Sequence, residues 1–172
     1  MKVFGVAGWS GSGKTTLVAR LIPALVARGV SVSTVKHAHH GFDVDQPGKD
    51  SYEHRRAGAR EVLVASAARF ALMHELRGAP EPGLTELLAR LGPVDLVLVE
   101  GFKREAIDKL EVWRAANGTP PLWREDRRVV AVAGDVEPAG LDRPFLPLDD
   151  VAAIAGFVLR HCGLETRAPA RA

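Results

Sequence analysis

Apolar and polar positions alternate along the chain in two rhythms, one of strand type and one of helix type. Lys2-Val3-Phe4-Gly5-Val6-Ala7 is a short apolar run of strand length. From Thr16 to Arg28 apolar residues recur at helical spacing, and Gly29 closes the segment. Val30 to Val35 reads as a second strand, followed by a polar loop from Lys36 to Asp50. Ser51 to Gly58 reads as a short helix with Ser51 as N-cap and His54 where a capping box would have Glu or Gln. Glu61 to Ala65 and Arg69 to Glu75 are β-rich runs with a short gap, which predicts a hairpin adding antiparallel strands to the sheet. A Pro/Gly linker from Ala79 to Gly83 leads into a helix over Leu84 to Leu91, ended by Gly92-Pro93.

Val94 to Val99 is almost wholly apolar, the mark of a central parallel strand buried on both faces. Lys109 to Arg114 and Arg128 to Ala133 read as further strands, with a loop from Ala115 to Asp126 between them. Asp149 to Cys162 reads as a last helix, capped by Asp149 or Asp150. This alternation predicts an α/β fold on a mostly parallel sheet. One domain is expected over residues 1–162, with a flexible tail over 163–172.

Composition narrows the class without naming a function. The 172 residues are 47% hydrophobic and 26% charged, with a formal net charge of +2. That is ordinary for one globular domain, and no block of like charge marks a nucleic-acid binder. The single cysteine, Cys162, excludes an intramolecular disulfide and a cysteine metal cluster. With no signal peptide at the first strand and no apolar run of spanning length, a cytoplasmic location without membrane association is expected.

The chemistry begins at Gly8-Trp9-Ser10-Gly11-Ser12-Gly13-Lys14-Thr15, a match to G-x-x-x-x-G-K-[ST]. It lies between a strand and a helix, the context this phosphate-binding loop requires. Glycine lets the backbone approach a phosphate with no Cβ in the way, and the following helix presents its positive end. Lys14 is expected to reach the β- and γ-phosphates and the Thr15 hydroxyl to sit on magnesium.

A second acid, Glu100, follows the apolar run to Val99. An acid at the tip of such a strand can hold magnesium or orient water, so Lys14 and Glu100 are the catalytic candidates. Gly101 beside it could offer a backbone N–H to the γ-phosphate. Asp95, at the other end of the strand, reads as a turn or cap residue.

The loop after the second strand holds His37, His39, His40, Asp43, Asp45 and Asp50 within fifteen residues. The composition suits a metal, but the spacing fits no standard zinc pattern. The competing reading is an anion and substrate loop. In it Lys36, His37 and Lys49 meet phosphate, and Asp43 or Asp45 reaches magnesium or a substrate hydroxyl. A third reading is a solvated loop whose aspartates cap turns. His74 and His161, isolated at element ends, read as structural.

Taken together, the phosphate loop, Lys36-His37-x-His39-His40, Asp43-x-Asp45-x-Pro47-Gly48-Lys49-Asp50-Ser51, Arg56-Ala57-Gly58-Ala59 and Val99-Glu100-Gly101-Phe102-Lys103 resemble the molybdopterin-guanine dinucleotide biosynthesis protein B (MobB) family. The resemblance covers residues 1 to about 160. It implies a P-loop NTPase three-layer sandwich, binding of GTP with Mg2+, and weak GTP hydrolysis. It also implies work beside the guanylyltransferase (MobA) that joins GMP to molybdopterin, with molybdopterin as a further candidate ligand. A homodimer through the hairpin near Val62 to Leu76 is implied as well. By motif, Gly8, Ser10, Gly11, Ser12, Gly13, Lys14, Thr15, Thr16 and Gly101 would bind GTP, Thr15 and Glu100 would serve magnesium, and Asp43, Asp45 and Lys49 would face the site.

Two departures stand out. The guanine-reading pattern [NT]-K-x-D is absent. Asp135 is the nearest positional candidate, and an ordinary turn residue is the alternative there. Position 9 is Trp, so the signature lysine of the deviant phosphate-loop subclass is missing. A nickel metallochaperone GTPase using His37, His39 and His40, and a small-molecule kinase, are the rival readings.

Overall fold

The computed structural model describes residues 1–38 and 41–164. His39, His40 and most of the predicted tail, from residue 165 on, lie outside the described residues. The chain divides into two compact units, one formed by Met1–His37 with the chain from Leu84 onward, the other by Ala38–Gly83.

The first unit is built on six strands, β1 (Lys2–Ala7), β2 (Val32–Lys36), β5 (Leu96–Glu100), β6 (Lys109–Trp113), β7 (Val129–Gly134) and β8 (Phe145–Pro147). They lie in the order β2-β5-β1-β6-β7-β8, and every pairing is parallel. Parallel strands need both faces covered. Helices α1 (Lys14–Val26) and α4 (Val151–Cys162) cover one face, where Leu17, Leu21, Leu25, Ile154 and Val158 pack on Phe4, Val6, Leu98 and Leu110. The short α3 (Leu84–Leu88) covers the other, with Leu84 and Leu88 on Val97 and Val99. Even and odd residues of β5 thus enter different cores, which is why the strand is apolar throughout. This is the three-layer sandwich of the P-loop class.

The strands share one C-terminal edge because they are parallel, and ligands of open α/β sheets bind at that edge. The opposite edge is closed by a clamp. Asp95 Oδ2 accepts the Ser31 N–H at 3.0 Å and the Ser31 hydroxyl at 2.7 Å, joining the entries to β2 and β5. Asp150 caps α4 by accepting the Ala153 N–H at 2.8 Å. Strand β8 carries no signal in the sequence. It is three residues long and contains a proline, and only its pairing with β7 defines it.

The second unit holds α2 (Asp50–Ala57), β3 (Glu61–Ala65) and β4 (Phe70–His74). The two strands form the expected hairpin, with Leu63 opposite Leu72, but as a two-stranded sheet of their own and not as an addition to the parallel sheet. Ser51 is not the N-cap of α2. The helix starts one residue earlier, Lys49 takes the cap position without a side-chain bond, and the Ser51 hydroxyl donates to Asp45 Oδ1 at 2.9 Å. His74 pairs with Glu61 across the hairpin at 2.7 Å, a structural role as expected. Among the described residues, no helix is long and apolar enough to cross a membrane.

Candidate functional site

The loop between β1 and α1 takes its shape from three left-handed glycines, Gly8 (φ 141°), Gly11 (φ 77°) and Gly13 (φ 98°). Gly8 is the tightest. A Cβ there would stand 2.4 Å from the Val112 carbonyl oxygen of β6. Gly11 faces open space, so what it contributes is backbone conformation and an uncovered approach. Helix α1 begins at Lys14, directly behind the glycine loop, and no side chain caps its N-terminus. Its first-turn N–H groups have no acceptor within the helix and stand ready for an anion.

Three charged residues converge on this loop. The Thr15 hydroxyl donates to Glu100 Oε1 at 2.5 Å, across 85 positions of sequence. Glu100 is the last residue of β5 and is buried. Lys36, paired with Glu100 in the β2–β5 register, places its Nζ 3.8 Å from the same oxygen. The Lys14 ammonium donates to the Trp9 carbonyl oxygen at 2.8 Å, folded back on its own loop. Partial burial pushes Lys14 below its ordinary value of 10.5, Glu100 opposes that shift, and the positive charges of Lys103 and Lys36 add to it. Three lysines around one carboxylate make a site with surplus positive charge, suited to a polyanion.

The loop is braced from two further sides. Lys103 lies over the Trp9 ring, 3.9 Å from its centroid, and the Trp9 indole N–H donates to the Pro120 carbonyl at 2.8 Å. Arg114, just past β6, donates through Nε to the Ser12 carbonyl at 3.1 Å and ion-pairs with Asp135 at 3.6 Å. Arg114 gave no signal in the sequence. Only the β1–β6 neighbourhood brings it to the loop.

The residues fit a magnesium-bound nucleotide on several counts. Thr15 and Glu100 already juxtapose two hard oxygen ligands. The Ser12 hydroxyl is buried inside the loop with no hydrogen-bond partner among the described residues. Gly101 behaves differently from expectation. Its N–H donates to the Val6 carbonyl at 3.2 Å and is committed to the sheet. What glycine provides there is close approach, since a Cβ would meet the His37 Cβ at 3.0 Å. His37 packs its ring on Phe102, 4.9 Å between centroids, and its N–H donates to the Glu100 carbonyl at 2.9 Å.

Asp43, Asp45 and Lys49 belong to the second unit. There Arg55 gathers the acids, donating to both oxygens of Asp43 at 2.9 Å, to Asp45 at 3.4 Å and to Glu75 at 2.9 Å. The Asp45 and Arg55 bonds hold the Asp43 carboxyl below its ordinary range. Lys49 is exposed at the start of α2. Among the described residues, no group of three or more His, Cys, Asp or Glu is placed to hold a metal.

Comparison with known proteins fits this geometry. The profile of molybdopterin guanine dinucleotide synthesis protein B matches residues 3–135. The chain belongs to the MobB family. The molybdopterin-guanine dinucleotide biosynthesis adapter protein of Escherichia coli (strain K12) is 50% identical over 156 residues, 89% of each chain. That of Haemophilus influenzae is 43% identical over 159 residues, 91% of this chain and 86% of the relative. A crystal structure of molybdopterin-guanine biosynthesis protein B superposes with a TM-score of 0.73 at 28% identity, covering 92% of this chain and 99% of the other. The MobB homolog from Bacillus stearothermophilus gives 0.72 at 26% identity, covering 95% and 99%. The MobB match takes in the glycine loop, Glu100, Arg114 and Asp135.

Proposed function

We propose that this MobB-family chain is a cytoplasmic adapter of molybdopterin guanine dinucleotide biosynthesis that binds GTP with magnesium and hydrolyses it slowly. The observation that carries the reading is the Thr15–Glu100 contact of 2.5 Å at the C-terminal edge of the sheet, beside a glycine loop and three lysines. Lys14 leaves the Trp9 carbonyl and meets the β- and γ-phosphates. Loop N–H groups and the α1 N-terminus take the remaining phosphate oxygens, and Ser12 gains the partner it lacks. Thr15 and Glu100 would hold the metal, and Glu100 would orient the attacking water. Magnesium, when bound, supplies positive charge to the phosphoryl oxygens. Water adds to the γ-phosphorus, the bond to the bridging oxygen breaks, GDP leaves, and the water's proton passes to the released phosphate. Lys103 and Arg104 follow the strand tip in sequence and are the cationic candidates for the developing charge.

GTP is favoured over ATP because the named products of this family's pathway carry guanine. The adapter role follows from the names of the 50% and 43% identical relatives. The partners proposed are the guanylyltransferase (MobA), molybdopterin, and a second copy of the chain. A homodimer is supported by the hairpin, where Leu63, Phe70 and Leu72 are 61%, 72% and 47% exposed. Exposed apolar side chains on a two-stranded hairpin gain by being covered.

The test is reconstitution of dinucleotide synthesis from the transferase, molybdopterin and limiting GTP, with and without this chain. Stimulation by the wild type but not by Lys14→Ala supports the reading. Equal product in all three reactions contradicts it.

A further inference from the structure

The proposed site has residues for phosphates and metal but none yet for the base. The sheet order supplies a direction. In the site proposed above, Thr15 and Glu100 would hold the metal, and with it the terminal phosphates, on the β5 side of β1. The nucleoside would then extend the other way, over the ends of β6 and β7. Strands lie about 4.8 Å apart, so the end of β7 is about 10 Å from that of β1. A ribose and an α-phosphate bridge a gap of that order between base and β-phosphate.

The residue after β7 is Asp135. Gly134 allows it to sit there, since a Cβ at 134 would come 2.9 Å from the Trp113 carbonyl at the end of β6. Asp135 is 41% exposed in its side chain, and among the described residues its carboxylate makes an ion pair with Arg114 at 3.6 Å and no hydrogen bond. Arg114 in turn grips the Ser12 carbonyl of the glycine loop at 3.1 Å. One arginine thus ties the loop that would hold phosphate to an acid with open acceptor positions. A carboxylate in that position matches guanine, which offers N1–H and an exocyclic 2-amino group side by side. Adenine presents a bare N1 acceptor there and would meet the carboxylate lone pair to lone pair.

We propose that Asp135 reads guanine, accepting hydrogen bonds from N1–H and the 2-amino group, with Arg114 as the residue that positions its carboxylate. The proposal rests on the nucleotide site described above. It gives this chain a guanine reader without the [NT]-K-x-D pattern.

The test titrates GTP, ITP, ATP and XTP, each with magnesium, into the full chain and into Asp135→Asn, with thermal melts confirming that both are folded. A bidentate pair of this kind is worth about 10- to 100-fold in discrimination. The wild type is expected to prefer GTP over ATP by that factor, with ITP, which lacks the 2-amino group, in between. Asp135→Asn is expected to lose that factor for GTP and to gain for XTP, whose 2-oxo group accepts the asparagine N–H. For Arg114→Gln the readout is the GTP-to-ATP ratio, which falls if Arg114 positions the carboxylate. Triphosphate binding with a ratio that Asp135→Asn leaves unchanged overturns the base-reading proposal alone. No binding of any triphosphate by the wild type overturns it together with the phosphate site.

Discussion

Lys109 opens β6 and is 1% exposed, yet its ammonium is fully engaged. Nζ donates to the Lys103 carbonyl at 3.1 Å, the Glu105 carbonyl at 2.8 Å and Asp126 Oδ2 at 2.8 Å. It therefore holds the turn after Glu100, which includes Phe102 at φ 46°, a conformation that costs a non-glycine residue about 1–2 kcal/mol. Lys109→Met keeps the apolar stem and removes the charge. Two carbonyls and a carboxylate then lose their donor. Breaking a buried pair costs about 3–5 kcal/mol. Asp126 keeps the Arg128 N–H at 2.8 Å and is 30% exposed, so the lower end, about 3 kcal/mol, is expected.

The pH dependence has a definite sign. Burial works against ionising Asp126, but the bonds from Lys109 and the Arg128 N–H outweigh it and hold the carboxyl below its ordinary 3.8. An acid whose folded value is depressed stabilises the fold above the unfolded value and loses that contribution as pH falls through the folded one. The gap between wild type and Lys109→Met should therefore narrow below pH 3.8. Urea denaturation at pH 7 and at about pH 3 measures it. Lys109→Met/Asp126→Asn should recover at least about 1 kcal/mol of the single variant's loss, since no orphan charge remains. A loss under about 1 kcal/mol at pH 7, or a gap independent of pH, would mean that the Lys109 ammonium does not hold this turn.

Further outcomes follow from the glycine loop and its acid. Gly8→Ala should cost about 3 kcal/mol, from a Cβ 2.4 Å from a backbone oxygen plus the left-handed φ, whereas Gly11→Ala, facing open space, should cost about 1 kcal/mol. Thermal melts of the two give the order. Glu100→Gln should abolish the magnesium dependence of GTP binding while leaving the fold intact, because Gln can still accept from Thr15. Affinity measured with and without the metal reports it. Asp108→Asn should remove stability chiefly above pH 3.8. Burial opposes ionisation of Asp108, but the Arg128 and His161 bonds overcome it and depress the carboxyl. Denaturation across pH 3 to 6 follows the loss.

Elements with strong periodicity or a dedicated motif were legible in the sequence, notably β1, the glycine loop, the wholly apolar β5 and the hairpin. Glu100 was found because a charge ends an otherwise apolar strand. What stayed hidden depends on strand order. Arg114 meets the loop only because β6 lies beside β1, and Lys36 meets Glu100 only because β2 lies beside β5. The alternation Lys109-Leu110-Glu111-Val112 looks like a strand with one wet face, yet both charged residues are buried. Glu111 is 0% exposed and accepts the Leu122 and Trp123 N–H groups at 2.8 and 2.9 Å, a partner that no local pattern announces. Ser51 had the signature of a cap and was claimed instead by Asp45, six residues upstream. Gly101 looked like a phosphate ligand, but sheet pairing had already taken its N–H.

The central proposal is a magnesium-dependent triphosphate site built on Lys14, Thr15 and Glu100. Calorimetric titration of GTP into the wild type and Lys14→Ala, with magnesium and then with chelator, addresses it most directly. Binding is expected to require magnesium and to weaken by about tenfold or more in Lys14→Ala, a change of about 1.4 kcal/mol. Equal affinity in the two proteins, or binding indifferent to the metal, would contradict it.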